Sequence, residues 1–329
     1  MNTSYAATAL ALSSLKGIGP AFLKKNAYLF ESLSFNATKD NILLFLELYK
    51  KQIPMVEIDN AIRQSEKILN ACEKERIAVI SICDVGYPPL LLELKDPPSV
   101  IYCKGNLDAL KRVVTVIGTR QPNRNGEIIA ERVSTFFSEK DWSICNGLAD
   151  GIDSCAIKNT NGYFGGTIGV LGGGIDYGNH KTLLKNVQRN AEIILENNGL
   201  LISESLPDKK EDKFSVIKSC RIQAGLAQGL ILIQSSVDGG SKFTVKSFSE
   251  LKRNLAFIYP IKQDYMLDSY SANRLLVEKG MLGLAEITDI KSEKIAIDEL
   301  FSIKSRDDYV CYEQLLLLCQ KDSSQQKLL

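Results

Sequence analysis

The stretch Val113-Val114-Thr115-Val116-Ile117-Gly118-Thr119-Arg120 decides the fold. Five apolar or β-branched residues run without a polar break and stop at a glycine. A helical stretch over 126–139 follows, and Trp142-Ser143-Ile144-Cys145 then repeats the pattern, closed by Asn146-Gly147. Working outward, the same strand–turn–helix unit recurs. Thr167 to Leu171 closes on Gly172-Gly173-Gly174. Leu200-Leu201-Ile202-Ser203, Leu230-Ile231-Leu232-Ile233 and Leu255-Ala256-Phe257-Ile258-Tyr259 follow. A strand with one solvated face alternates, whereas continuous apolar strands separated by helices belong to a parallel sheet covered on both faces. The fold class read here is α/β: a Rossmann-like parallel sheet flanked by helices, with a small helical N-terminal domain.

Upstream the pattern differs. Residues 1–70 read as helical, with a dense apolar run at Ile42-Leu43-Leu44-Phe45-Leu46 and helix-spaced apolar residues over 56–72. Ile77 to Ile82 and Val100 to Cys103 read as short strands. Between them Tyr87-Pro88-Pro89 and Asp96-Pro97-Pro98 exclude regular helix or central strand. Residues 290–329 read as a charged, helical tail. The expected domains are therefore 1–72, 73–290 and 291–329, in keeping with roughly 100–200 residues per domain.

In an open parallel sheet, ligands bind beyond the carboxyl ends of the strands. The residues placed there are Gly118, Thr119 and Arg120; Asn146, Gly147 and Gly151; Gly172, Gly173 and Gly174; and Gly239, Gly240, Ser241 and Lys242. Glycine admits close backbone approach, and helix N-termini offer unpaired N–H groups to anions. Arg120 and Lys242 add charge. The pattern points to phosphate, against the alternative of tight turns with no ligand. A second candidate is Leu15-Lys16-Gly17-Ile18-Gly19-Pro20, which has the form of the turn in a helix-hairpin-helix. Gly17, Gly19 and Lys24 are its candidate phosphate contacts, since such a turn touches the backbone without reading sequence; the alternative is a mere packing role.

Other chemistries find little support. The 40 Lys and Arg against 39 Asp and Glu exclude a binder that works by bulk charge, though not a local basic pocket. The eight cysteines form no CxxC and there is one histidine, His180, so no zinc spacing exists; no metal and no cofactor are expected. The cysteines read as reduced core residues of a cytoplasmic protein. His180 lies in a polar loop and reads as a surface residue. Asp153 and Asp176, each following a glycine loop, read as helix caps, with contact to a sugar as the alternative. No Walker pattern, GxSxG elbow or nucleophile–base pair is present, so no enzyme is expected. No run reaches the roughly 18 apolar residues of a membrane span, and the start lacks the basic region of a signal peptide.

The order of these motifs resembles the DprA/Smf family. Tyr87-Pro88-Pro89-Leu90-Leu91, Asp96-Pro97-Pro98 and Lys104-Gly105-Asn106-Leu107 are similar to its lead-in. Val116 to Arg120 resembles its GSR loop, and Asn146 to Asp153 its SGLARGID segment. Thr167 to Asp176 resembles TIAVLGxGLD, and Leu201-Ile202-Ser203-Glu204 its LISE. The resemblance spans roughly 75–260. It implies single-stranded DNA held along the Rossmann-like domain, delivery of a RecA-type recombinase in DNA uptake, transformation or recombination, and a homodimer; it implies no ordinary enzyme. The departures are specific. The family's FPxRNRIIAGL reads here Val216 to Leu226, with Ser219 and Cys220 in place of an arginine and the asparagine, and only Arg221 kept. The arginine of SGLARGID is Asp150, and a histidine soon after it is Ile157. An acid on a phosphate path repels it, and each lost cation removes a counterion-release contact. The DNA site is then weakened, or is recharged by Lys218, Lys242 and Lys246, or serves another ligand. The alternative functions are a nucleotide-binding, nucleotide-sensing or nucleotide-hydrolysing protein on the same scaffold, and a degenerate interaction module. A winged-helix end, found in some relatives, is not evident.

Overall fold

A computed structural model describes residues 5–32 and 37–326. The chain divides into two compact units. One comprises the chain up to Lys104 with Leu171–Leu183 and Ile202–Ser215; the other comprises Gly105–Val170, Leu184–Leu201 and Val216 onward.

In the first unit, four α-helices precede any strand: Ala6–Ser14, Pro20–Lys25, Thr38–Leu48 and Met55–Lys74. Phe22 packs on Phe45 and Tyr49 with ring centroids 5.6 and 4.9 Å apart. The unit's strands are β1 (Ala78–Ser81) and β2 (Val100–Gly105), which pair antiparallel with Ser81 opposite Val100. Between them Tyr87 buries its ring and donates its hydroxyl to the Pro98 carbonyl at 2.8 Å, so the two proline corners are tied to each other.

The second unit carries the sheet. Its strands are β3 (Val113–Ile117), β4 (Ser143–Asn146), the short hairpin β5 (Lys158–Asn159) and β6 (Gly162–Tyr163), β7 (Ile168–Leu171), β8 (Leu200–Ser203), β9 (Gly229–Leu232), β10 (Asn254–Ile258) and β11 (Leu300–Ile303). The spatial order is β8-β7-β4-β3-β9-β10-β11. β4, β3, β9, β10 and β11 pair parallel with their neighbours, as does β7 with β4. Residues of β3, β4, β9 and β10 are buried along their whole length, which is the physical counterpart of their unbroken apolar runs. The reading of a parallel, helix-flanked α/β sheet holds, with each expected strand within one or two residues of its observed bounds.

Residues 290–329 contain β11 and the helix Asp307–Gln326, and both belong to the core. Tyr312 and Leu316 are fully buried against Phe137, Val114, Ile231 and Ala256. The Tyr312 hydroxyl donates towards the Leu230 and Asn254 carbonyls at 3.1 and 2.7 Å. A Cβ on Gly229 would stand 2.5 Å from Leu316 Cδ2 and 2.6 Å from that hydroxyl, so β9 starts with glycine because this helix occupies the space. Among the described residues no helix is long and apolar enough to cross a membrane.

This packing makes the last helix a structural member. Tyr312→Ala should destabilise by about 3–5 kcal/mol, the usual cost of deleting a buried aromatic ring. Tyr312→Phe, which keeps the ring and loses only the hydroxyl, should cost about 1–2 kcal/mol. Urea denaturation of the two variants measures both; a Tyr312→Ala loss under 1 kcal/mol would show that the helix is not part of the cooperative core.

Candidate functional site

The loops after β3 and β4 interlock. The Thr119 amide donates to the Gln234 carbonyl at 2.7 Å, and the Ile152 amide donates to the Thr119 carbonyl at 3.1 Å. Gly151 has φ +80°, and a Cβ there would meet the Thr119 carbonyl oxygen at 2.4 Å and the Arg120 carbonyl at 2.6 Å. A side chain at Gly118 would strike Ile152 at 2.6 Å. These two glycines therefore allow two backbone loops to touch at a distance no other residue permits. Their outer surface carries Arg120, which is exposed.

Gln234, the second residue past β9, holds the next segment. It is fully buried. Its Oε1 accepts from the Asn123 amide at 3.2 Å and its Nε2 donates to Ser269 Oγ at 2.7 Å. Asn123 in turn caps the helix Arg124–Ser138, its Oδ1 accepting from the Gly126 amide at 2.9 Å.

The loop Asn146–Gly151 is shaped from beneath by Asp153. Its Oδ2 accepts from the Gly147 and Ala149 amides at 3.1 and 3.3 Å. Asn146 Oδ1 takes the Leu148 amide, and Leu148 adopts φ 57°. Burial pushes the Asp153 carboxyl up to about 7; the Ala149 and Gly147 amides and the Arg120 charge oppose that rise without cancelling it. Asp153 sits inside the turn Ile152–Cys155, whose N-cap is Gly151, so it organises the preceding loop and does not cap the helix. Asp176 stands at the N-cap of Tyr177–His180, but its side chain makes no cap bond; Oδ1 accepts from Asn179 Nδ2 at 2.7 Å. His180 is half exposed, 3.3 Å from Asp176.

The residues of the helix Lys213–Leu226 meet this cluster through Gln223 and Cys220. A Cβ on Gly147 would lie 2.9 Å from Gln223 Nε2, and Gln223 Oε1 accepts from Thr244 at 3.5 Å. Burial raises the Cys220 thiol, with Thr244 and Arg120 lowering it and Asp153 raising it, so the four groups share one neighbourhood. Ser219 and Cys220 turn back to the Val216 carbonyl. Arg221 is buried and donates Nη1 to the Lys218 carbonyl at 3.0 Å, while Lys218 is exposed. At Gly239–Lys242, Ser241 Oγ bonds Ser235 Oγ at 2.6 Å, and Lys242, at the start of the helix Lys242–Ser249, lies 3.7 Å from the exposed Asp238. A side chain at Gly240 would meet open space.

The second unit thus brings Gly118–Arg120 against Asn146–Gly151 and ties Gly239–Lys242 to them through Ser235 and Gln234, whereas Arg221 is buried along its own helix beside Lys218. Asp150 is exposed there and accepts from Asn186 Nδ2 at 2.6 Å. Gly172–Gly174 belongs to the first unit. There a Cβ on Gly174 would stand 2.1 Å from the Leu206 carbonyl oxygen and one on Gly173 2.4 Å from the Thr182 carbonyl oxygen, so internal packing accounts for both of these glycines. The hairpin candidate also lies in the first unit. Gly17 has φ +80° and accepts from Lys51 Nζ at 3.1 Å, Gly19 is the N-cap of Pro20–Lys25, and Lys24 Nζ donates to the Leu94 carbonyl at 2.9 Å. The sequence reading missed Gln234, Gln223 and Asn123. A polar residue directly after a buried apolar strand was the available signal for Gln234. Among the described residues no group of His, Cys, Asp or Glu is arranged to hold a metal ion, and the cysteines with described side chains are free.

Residues 78–293 match the family described as DNA recombination-mediator protein A. The DNA processing protein DprA of Bacillus subtilis is 28% identical over 251 residues, covering 74% of this chain and 82% of the relative. The X-ray structure of DprA from Streptococcus pneumoniae superposes with a TM-score of 0.64 at 25% identity, over 94% of this chain and 97% of that one. The DNA processing protein A of Helicobacter pylori, studied for its single-stranded DNA binding mode, is similar in fold: TM-score 0.52, 24% identity, 62% of this chain and 88% of that one.

The buried Asp153 has a thermodynamic signature. An acid whose folded value lies above its unfolded one contributes stability that is complete below the unfolded value and is lost as pH rises through the folded one. For Asp153 that window runs from 3.8 to about 7. Asp153→Asn keeps an oxygen for both amides and removes the titration. Its melting temperature relative to the unsubstituted protein should rise steadily across that window. A difference that stays constant from pH 4 to 8 would refute the assignment.

Proposed function

The chain belongs to the DNA recombination-mediator protein A family, and on that premise we propose that it binds single-stranded DNA without strong sequence preference through the second unit's loops. The observation that carries this reading is the interlocked pair Gly118–Arg120 and Asn146–Gly151, with Arg120 exposed upon it. Backbone amides and fixed cations hold phosphates while leaving base identity unread. Arg120, Lys218, Arg221 and Lys242 are the proposed cations, with Gly118, Thr119, Asn146, Gly147, Gly151, Gly239, Gly240 and Ser241 supplying close backbone and hydroxyl contacts. In the first unit, Gly172, Gly173 and Gly174 are proposed as a separate backbone contact to phosphate, and Gly17, Gly19 and Lys24 as another.

The proposal includes the wider role that accompanies this chemistry: a homodimer in the cytoplasm that helps load a RecA-type recombinase onto the strand it holds, in DNA uptake, transformation or recombination. It involves no catalysis. The Helicobacter pylori relative's single-stranded DNA binding mode supports the choice of ligand, and the near-neutral charge of this chain favours a local site over diffuse attraction.

Titration of single-stranded oligonucleotides over a salt series tests the reading. Each neutralised phosphate of a single strand contributes a slope of about −0.7 in log affinity against log salt, so three or four contacts give about −2 to −3. Arg120→Ala should weaken binding and flatten the slope. Asp150→Arg should tighten binding, because it removes a repulsion and adds a cation. If neither substitution changes affinity, these loops do not hold the DNA, and the nucleotide-ligand alternative becomes the better one.

A further inference from the structure

Beyond the phosphate loops, the same edge of the second unit carries two tyrosines and a row of cations that the proposed phosphate contacts do not use. Tyr259 is the first residue past β10, and Lys304 the first past β11. The two strands are parallel neighbours, which sets these residues side by side. The Tyr259 amide donates to the Ile303 carbonyl at 2.8 Å, so the ring sits on a fixed backbone while being 37% exposed. Lys304 Nζ stands 5.7 Å from its ring centroid. The Tyr265 ring lies 6.3 Å from Tyr259, its backbone carbonyl held by Arg274 at 2.6 Å and its hydroxyl donated to Glu278 at 3.2 Å.

Each carboxylate nearby has a hydrogen-bond donor, Glu278 holding the Tyr265 hydroxyl. Asp264 accepts from Asn125 Nδ2 at 2.8 Å, and Asp308 takes the amides of Lys304 and Ser305 at 2.7 Å. Lys262, Lys304 and Arg306 are exposed. The Asn125–Asp264 bond also joins this surface to the segment that follows Arg120, so it is continuous with the proposed phosphate edge.

An anchored, half-exposed aromatic pair beside exposed cations has the makeup of a stacking surface for a single strand, in which rings take bases and cations take phosphates. Resting on the proposed function, we infer that Tyr259, backed by Tyr265, stacks a base of the bound strand where it leaves the phosphate loops, and that Lys304 takes an adjoining phosphate. The surface thereby adds affinity without adding sequence preference.

Stacking and charge differ in their salt dependence, and that separates the two roles. With oligothymidylate as the probe, Tyr259→Ala should weaken binding about tenfold, within the range for one lost stacked base, and leave the salt slope unchanged. Tyr259→Phe should bind normally. Lys304→Ala should weaken binding and flatten the slope by about 0.7. The chain's single tryptophan, Trp142, is buried. A Tyr259→Trp protein therefore carries one exposed indole, whose fluorescence should be quenched on adding the oligonucleotide. Unchanged affinity in Tyr259→Ala with no quenching in Tyr259→Trp, while Arg120→Ala still weakens binding, overturns this inference and spares the proposed function. Failure of the unsubstituted protein to bind oligothymidylate overturns both. A loss of affinity in Tyr259→Ala that sedimentation traces to dissociation of a dimer also overturns the inference, since the surface would then be covered by a second copy of the chain.

Discussion

The carbonyls of Thr119 and Arg120 lie so close to Gly151 that no Cβ fits between them, the nearest approach being 2.4 Å. Everything proposed for the second unit depends on this contact. It lets the loop after β4 lie against the loop after β3, which turns two separate strand ends into one surface. Gln234 fastens that surface to β9 through its carbonyl and to the helix Arg124–Ser138 through its side chain. An open parallel sheet always leaves its carboxyl-end loops near one another. Here hydrogen bonds among buried groups fix their separation, so an anion would meet a preformed surface and little ordering would be needed on binding.

Asp153 stands beneath the same surface and shows how a charge can be placed where water is absent. Its carboxylate gathers two loop amides, which favours the ionised form, while burial disfavours it more strongly. The balance leaves a group that changes protonation near neutrality under a loop proposed to face phosphate. Ionised, it draws the Gly147 and Ala149 amides inward; protonated, it holds them less strongly. The exposed Asp150 is different in kind. It is solvated and hydrogen-bonded to Asn186, so its effect on a ligand is a screened repulsion.

The sheet was legible because its strands are buried on both faces, and that burial writes an unbroken apolar run. β3, β4, β7, β8, β9 and β10 all carry one. β11 was not legible: Leu300-Phe301-Ser302-Ile303 is short and half-buried at the sheet's edge, and it lies in a stretch dominated by charge. The helix after it reads as a tail, because its core contacts rest on Tyr312 and Leu316 finding partners far away in sequence. For the site, the glycine loops were legible from their place after strands, but the reasons for the glycines were not. Gly151 yields to a backbone across the site, Gly174 to the Leu206 and Pro207 carbonyls within the first unit. One-letter patterns do not separate those causes. Gln234 and Gln223 were overlooked since an isolated glutamine carries no motif, and their importance comes from burial alone.

The central claim is that the second unit's interlocked loops hold the phosphates of a single strand. Hydrogen exchange read by mass spectrometry, with and without oligothymidylate, tests it most directly. The account predicts slowed exchange in peptides covering Gly118–Arg120, Asn146–Gly151 and Gly239–Lys242, with the buried amides of β3 and β9 unchanged. Protection confined to peptides around Gly17–Lys24, or no protection in any of these loops while the oligonucleotide is bound, would contradict it.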